Sequence, residues 1–275
     1  MKYCGVFSNT VNLSNFDEVK IIYDDQDREL ITYLNNHLAQ RTILVIQDYT
    51  RFYNTQEWLK LNAIHATYPE FNFTVCFSDI ARFNFHSIDP ILQECFEQLE
   101  VPYFTGYIVA NFDQLHYLGE LGVSDVYVGE DICFDLRRAK AVASDYGVQL
   151  RAFPNVAQGC IKSSSALKKF FIRPEDVEEY DDCIDTLEFW GPPDRQMVLH
   201  KIYTKGHWGG PLEAIIFDFP AELKSSALMP SFAHIRKTCG RRCMKGENCK
   251  ICDRLAHISQ QLTEHHIIIK PKKDS

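Results

Sequence analysis

The sequence lacks the apolar stretches that carry a chain into or across a membrane. Its opening, MKYCGVFSNTVNLSNFDE, holds one Lys and none of the apolar run that a signal peptide needs, and no stretch approaches 18 consecutive apolar residues. A cytoplasmic protein is therefore expected, with no membrane partner. Also missing are a Gly-x-Gly-x-x-Gly after the first strand-like run and a Walker-type loop, which argues against nucleotide-binding versions of an open sheet. There is no Gly-x-Ser-x-Gly elbow and no His-Glu-x-x-His. His265 and His266 are adjacent, and neighbours do not share a helix face, so a paired-ligand reading is weak. These absences remove support for a protease or a glycosidase. What is present is ordinary globular composition, with 45% hydrophobic, 24% charged and 13% aromatic residues, so disorder and low complexity are excluded.

The charge is unevenly spread. The net −8 divides into a segment 231–275 with 10 Lys+Arg against 4 Asp+Glu and a remainder with 19 against 33. An acidic body (1–230) is thus followed by a basic lobe (231–275) whose Arg236, Lys237, Arg241, Arg242, Lys245, Lys250, Arg254, Lys270, Lys272 and Lys273 could attract RNA or another phosphate-bearing substrate. The same lobe could instead dock on an acidic protein partner.

Within the body, short β-branched or aromatic runs alternate with segments of three-to-four apolar spacing. The runs are VKIIYDD (19–25), TILVIQD (42–48), FTVCFSD (73–79), PYFTGYIVAN (102–111), DVYVGED (125–131), QLRAFPN (149–155), TLEFWG (186–191) and EAIIFD (213–218). Gly122 and Gly147 stand where helices would end, and Pro174 with Glu175 and Asp176 where one would begin. Strands alternating with helices imply parallel pairing, and eight of them predict an α/β fold of (β/α)8 TIM-barrel type, with an open doubly wound sheet as the alternative. Active sites in such barrels lie at the C-terminal strand ends. Those ends carry Asp24, Asp25, Asp48, Ser78, Asp79, Asn111, Glu130, Asp131, Asn155, Gln158, Trp190 and Asp218. Several of these carboxylates suit helix capping. Asp48, Glu130 and Asn155 follow their strands most directly and are the candidate catalytic residues. Arg151 joins them, because a charge inside a barrel strand must find a carboxylate or an anionic substrate.

Ten cysteines in a reducing compartment point to burial, catalysis or metal binding rather than disulfides. Six are scattered, and the other four form Cys239-x3-Cys243-x5-Cys249-x2-Cys252. Four thiolates suffice for a tetrahedral Zn site or a [4Fe–4S] iron–sulfur cluster. Gly240 and Gly246 let the chain wrap closely, and interleaved Lys and Arg offset the thiolate charge. Spacing alone leaves zinc and iron–sulfur open.

The segments ANFDQLHYLGELGVSDVYVGED, YGVQLRAFPNVAQ and FFIRPEDVEEY, followed by a Cys-rich stretch, resemble barrels of the U32 peptidase-like family over residues 105–252, including mobile-element relatives of that barrel. The resemblance implies a cluster held by Cys239, Cys243, Cys249 and Cys252. It further implies oxygen-independent hydroxylation of a nucleic-acid base or small aromatic ring rather than proteolysis. The competing expectation is a non-catalytic barrel scaffold with a structural Cys4 zinc site.

Overall fold

The computed structural model of the chain describes residues 1–6, 14–23, 32, 34, 41–46, 55–71, 73–77, 97–106, 108–129, 132–157, 169–219, 223–228 and 232–237. Its strands are β1 (Lys2–Val6), β2 (Glu18–Ile22), β3 (Arg41–Ile46), β4 (Phe73–Phe77), β5 (Tyr103–Thr105), β6 (Ile108–Val109), β7 (Asp125–Val128), β8 (Gln149–Ala152) and β9 (Thr186–Glu188). Every pairing is parallel, in the order β5-β4-β3-β2-β1-β9-β8-β7-β6. The two ends of that order are consecutive in the chain. β5 pairs with β4 and β6 with β7, so the pieces form one stave and the sheet closes into an eight-stave barrel. Two bonds hold the seam, from Gly106 N–H to the Phe77 carbonyl (2.8 Å) and from Ser124 N–H to the Tyr103 carbonyl (2.7 Å).

The helices are α1 (Thr55–Thr67), α2 (Phe112–Glu120), α3 (Leu136–Asp145), α4 (Val177–Tyr180), α5 (Pro193–Lys205) and α6 (Phe232–Lys237). Asn111 caps α2 by accepting from the Gln114 N–H at 3.0 Å. Leu136, Ala139 and Ala143 recur at helical spacing along α3 and are buried. Gly122 and Gly147 take the left-handed conformation expected of helix ends (φ 73° and 71°). Pro174 opens a short 3₁₀ turn that leads into α4. Among the described residues, no helix is long and apolar enough to cross a membrane.

The number of staves expected is right, but one assignment is not. EAIIFD is no stave. Leu212–Ala214 forms a 3₁₀ turn, Ile215 and Ile216 are buried beside it, and only Phe217 makes a single parallel bridge, to Val156. The missing stave is KYCGV at the N-terminus, too short and too mixed to stand out by its apolar pattern. Its Gly5 packs so closely on the ring of Phe16 that a Cβ would lie 3.0 Å from it. Cys4, Cys76, Cys133 and Cys183 are buried thiols, as free cysteines commonly are. Cys239, Cys243, Cys249 and Cys252 lie outside the described residues, as do Asp48 and Glu130. Among the described residues, no group of three or more potential metal ligands occurs.

A buried Arg173 ties down the chain after the barrel. Its guanidinium binds both Asp176 carboxylate oxygens at 2.6 Å and donates to the Ser225 and Leu228 carbonyls. The following helix, α6, packs on α4 and on the 132–134 turn. Its Lys237 is held by Asp182 at 2.8 Å and by Glu179. This basic residue is 3% exposed in its side chain, so its charge serves the barrel and not a phosphate.

Candidate functional site at the barrel mouth

Alternation along each strand sends every second side chain into the barrel. Val19 and Ile21 face outward, while Glu18 and Lys20 point in, and Val126 and Val128 likewise flank Tyr127. Barrel interiors are usually filled by branched apolar residues. Among the described residues, this one holds Lys20, Arg41 and Arg151 against Glu18, Asp125 and Glu188, three cations and three anions.

The charges form two tiers. The lower tier comes from strand starts. Arg41 bonds Asp125 at 2.7 and 3.0 Å, Glu18 at 3.3 Å and Thr74 at 2.9 and 3.0 Å. Burial would raise the Asp125 carboxyl, but hydrogen bonding from Arg41 and the charges of Arg151 and Arg41 hold it below the usual range. Arg151 links the tiers, at 2.7 Å from Glu18, 3.0 Å from Asp125 and 3.5 Å from Glu188. It therefore points inward, as a strand-borne charge must, and its partners are interior carboxylates rather than the rim. Its Nε and the Thr186 hydroxyl, on the adjacent strand in register, have no hydrogen-bond partner among the described residues.

The upper tier faces the C-terminal mouth. Lys20 Nζ donates to Glu188 Oε1 at 2.8 Å and to the Tyr127 hydroxyl, which itself donates to Glu188 Oε2 at 2.6 Å. Burial pushes the Lys20 ammonium down, yet Glu188, joined by Tyr127, Cys76 and Cys4, outweighs it, and together they hold the amine well above its ordinary value. Burial likewise raises the Glu188 carboxyl, and the charges of Lys20 and Arg151 bring it below the ordinary value. Burial and then Glu188 push the Tyr127 phenol well up. Cys76, nearby, is raised to about 11, chiefly by burial, so it remains a thiol at neutral pH.

An aromatic wall rises from this triad. Tyr127 stacks on Phe153 at 4.8 Å and 3°, and Phe153 meets Trp190 edge-to-face at 5.9 Å. Trp190 is 54% exposed, and Ile22 in β2 and Ile108 in β6 are 53% and 41% exposed. Asn155 sits at the mouth as its place after β8 predicts. Its amide, however, is engaged at both ends, accepting from the Trp190 N–H and donating to the Trp190 carbonyl, both at 2.8 Å. It positions Trp190. Asn155→Ala is expected to lower stability by about 1–3 kcal/mol, because it leaves the part-buried Trp190 backbone groups without their partner, and to alter Trp190 emission. Denaturant unfolding and fluorescence check both effects.

The charge lattice also sets an acid limit. Asp125 and Glu188 have depressed folded values, so their stabilisation is full above the unfolded carboxylate range, about pH 4, and is lost as pH falls through their folded values. Thermal unfolding at stepped pH should show a flat Tm near neutrality and a steep fall below about pH 4.

Of the predicted site residues, the structure brings Arg151 and Asn155 to the interior and the mouth. Lys20, Tyr127 and Glu188 were missed, although their signal is visible: a charged or phenolic residue between two apolar ones in a strand run, as in Val19-Lys20-Ile21 and Leu187-Glu188-Phe189.

No protein-family model matches this chain, and no curated protein does. A crystal structure of a protein provisionally assigned as a dihydrodipicolinate synthetase from Pseudomonas aeruginosa is similar over 95% of this chain and 99% of that one, with 12% identity and a TM-score of 0.41. So weak a likeness says nothing about function, and the barrel rests on its own strand pairing.

Proposed function

We propose that the chain is a barrel enzyme that modifies a small planar ring, a nucleic-acid base or another aromatic, at its C-terminal mouth. The observation that carries this reading is the Lys20–Tyr127–Glu188 triad, set directly beneath the Phe153 and Trp190 wall. Lys20 supplies a fixed positive donor whose charge Glu188 balances, while the rings hold a flat substrate by stacking. Asp48 and Glu130, which follow β3 and β7 in sequence, remain proposed contributors to the rim. Trp190 emission should change on saturation with small heteroaromatic compounds, and that response should vanish in Trp190→Phe. No response to any ring compound would remove the mouth from consideration.

The redox part of the reading rests on donor chemistry. Cys239, Cys243, Cys249 and Cys252 are four soft ligands within 14 residues, beginning two residues after the anchored α6. They would hold a [4Fe–4S] cluster, which accepts and donates single electrons. Protein purified without oxygen should be brown and carry about four irons per chain, and Cys243→Ser should lose both colour and iron. A colourless protein with one zinc per chain would instead favour the scaffold reading. The self-neutralising lower tier of charges is compatible with that alternative, since such a lattice serves as a core whether or not catalysis occurs above it. Under the enzyme reading the basic lobe recruits RNA, so binding should weaken steeply with salt.

A further inference from the structure

The charge count inside the barrel says what kind of ring the mouth accepts. We propose that it takes an uncharged planar ring bearing a hydrogen-bond acceptor, and that Glu188 excludes the anionic counterpart; this rests on the mouth being the substrate site.

An ammonium has three N–H donors. Two of Lys20's are used, by Glu188 Oε1 and the Tyr127 hydroxyl. The third has no acceptor among the described residues. The lower end of the barrel is closed by the Arg41–Glu18–Asp125–Arg151 lattice. The 11% of the Lys20 side chain that remains accessible therefore opens toward the mouth. An oxygen or nitrogen acceptor entering from above would meet that third N–H.

The charge of Lys20 is already matched by Glu188, and the interior charges among the described residues balance at three against three. A carboxylate on the ligand would add a fourth anion beside Glu188, where water is largely excluded and an unpaired charge is costly. A carbonyl, amide or ring nitrogen takes the same hydrogen bond and leaves the balance intact. The ring would lie against the Phe153–Trp190 wall, continuing the stack that begins at Tyr127. Glu188 is on this account a specificity-determining residue acting through Lys20.

Nicotinamide and nicotinate form a matched pair of probes, one neutral and one anionic, to be titrated against Trp190 fluorescence. Wild-type protein should bind nicotinamide at least about tenfold more tightly than nicotinate. Glu188→Gln keeps the shape and leaves Lys20 without its carboxylate, so the preference should narrow or invert. Equal binding of the two probes by wild type, or a preference for nicotinate, overturns the charge filter while leaving the mouth as the binding site. An unchanged ratio in a folded Glu188→Gln protein overturns the role of Glu188. Silence of Trp190 toward both probes overturns the mouth reading and the inference with it. The wild-type comparison decides even where the variant does not fold.

Discussion

Arg151→Met should destabilise the barrel by about 3–5 kcal/mol, the largest loss expected from any single substitution in the chain. Arg151 is fully buried and lies within 2.7 to 3.5 Å of Glu18, Asp125 and Glu188. Methionine fills part of the volume but leaves the remaining Lys20 and Arg41 facing three carboxylates. The carboxylates would then protonate at higher pH, moving the acid transition upward. Loss of the lattice as a whole is a different matter, because replacing a complete buried ion pair by apolar groups is often neutral. Arg151→Met combined with Glu18→Leu should therefore recover much of the loss. Denaturant unfolding of both variants measures the difference, and a double variant no better than the single one would mean that packing, not charge, dominates this position.

The second large effect concerns the site itself. Lys20→Met keeps the aliphatic stem and removes the ammonium that the bound ring would meet. Affinity for ring ligands should fall about 10- to 100-fold, the weight of a charged hydrogen bond of about 1.5–3 kcal/mol. Stability should fall as well, since Glu188 loses its nearest cation. Lys20→Met combined with Glu188→Gln removes both charges together. It should regain stability without regaining affinity, which separates the structural role of the pair from its part in binding. Recovery of affinity by the double variant would show that the ammonium is not the group the ligand contacts.

Much of this architecture could be read from periodicity. Seven of the eight predicted runs became staves or parts of staves, because alternating Val, Ile and aromatic residues suit a surface that packs against helices. KYCGV escaped notice because its burial depends on Gly5 approaching Phe16, a tertiary contact with no local signature. EAIIFD misled for the converse reason. Its isoleucines are as buried as those of a stave, but they follow a 3₁₀ turn outside the barrel wall. The site was harder to see than the fold. Arg151 stood out as a lone charge in a strand, and the same argument applied to Lys20 and Glu188 would have found the triad. What the sequence does not reveal is that those two meet, because their strands are joined only through β1, with Cys4 in register with Glu188 on one side and with Glu18 on the other. Asn155 was located correctly by its place after β8, yet no sequence pattern reveals that its amide is spent on the Trp190 backbone.

The most direct measurement is the side-chain nitrogen resonance of Lys20, observed in protein labelled with ¹⁵N-lysine and assigned by its loss in Lys20→Met. A buried ammonium bonded to Glu188 and Tyr127 should exchange its protons slowly and keep its charge to high pH. Its resonance should shift when a neutral ring ligand saturates the Trp190 response. A Lys20 signal that titrates as a free surface amine, or that stays unmoved while Trp190 reports a bound ring, would contradict the account.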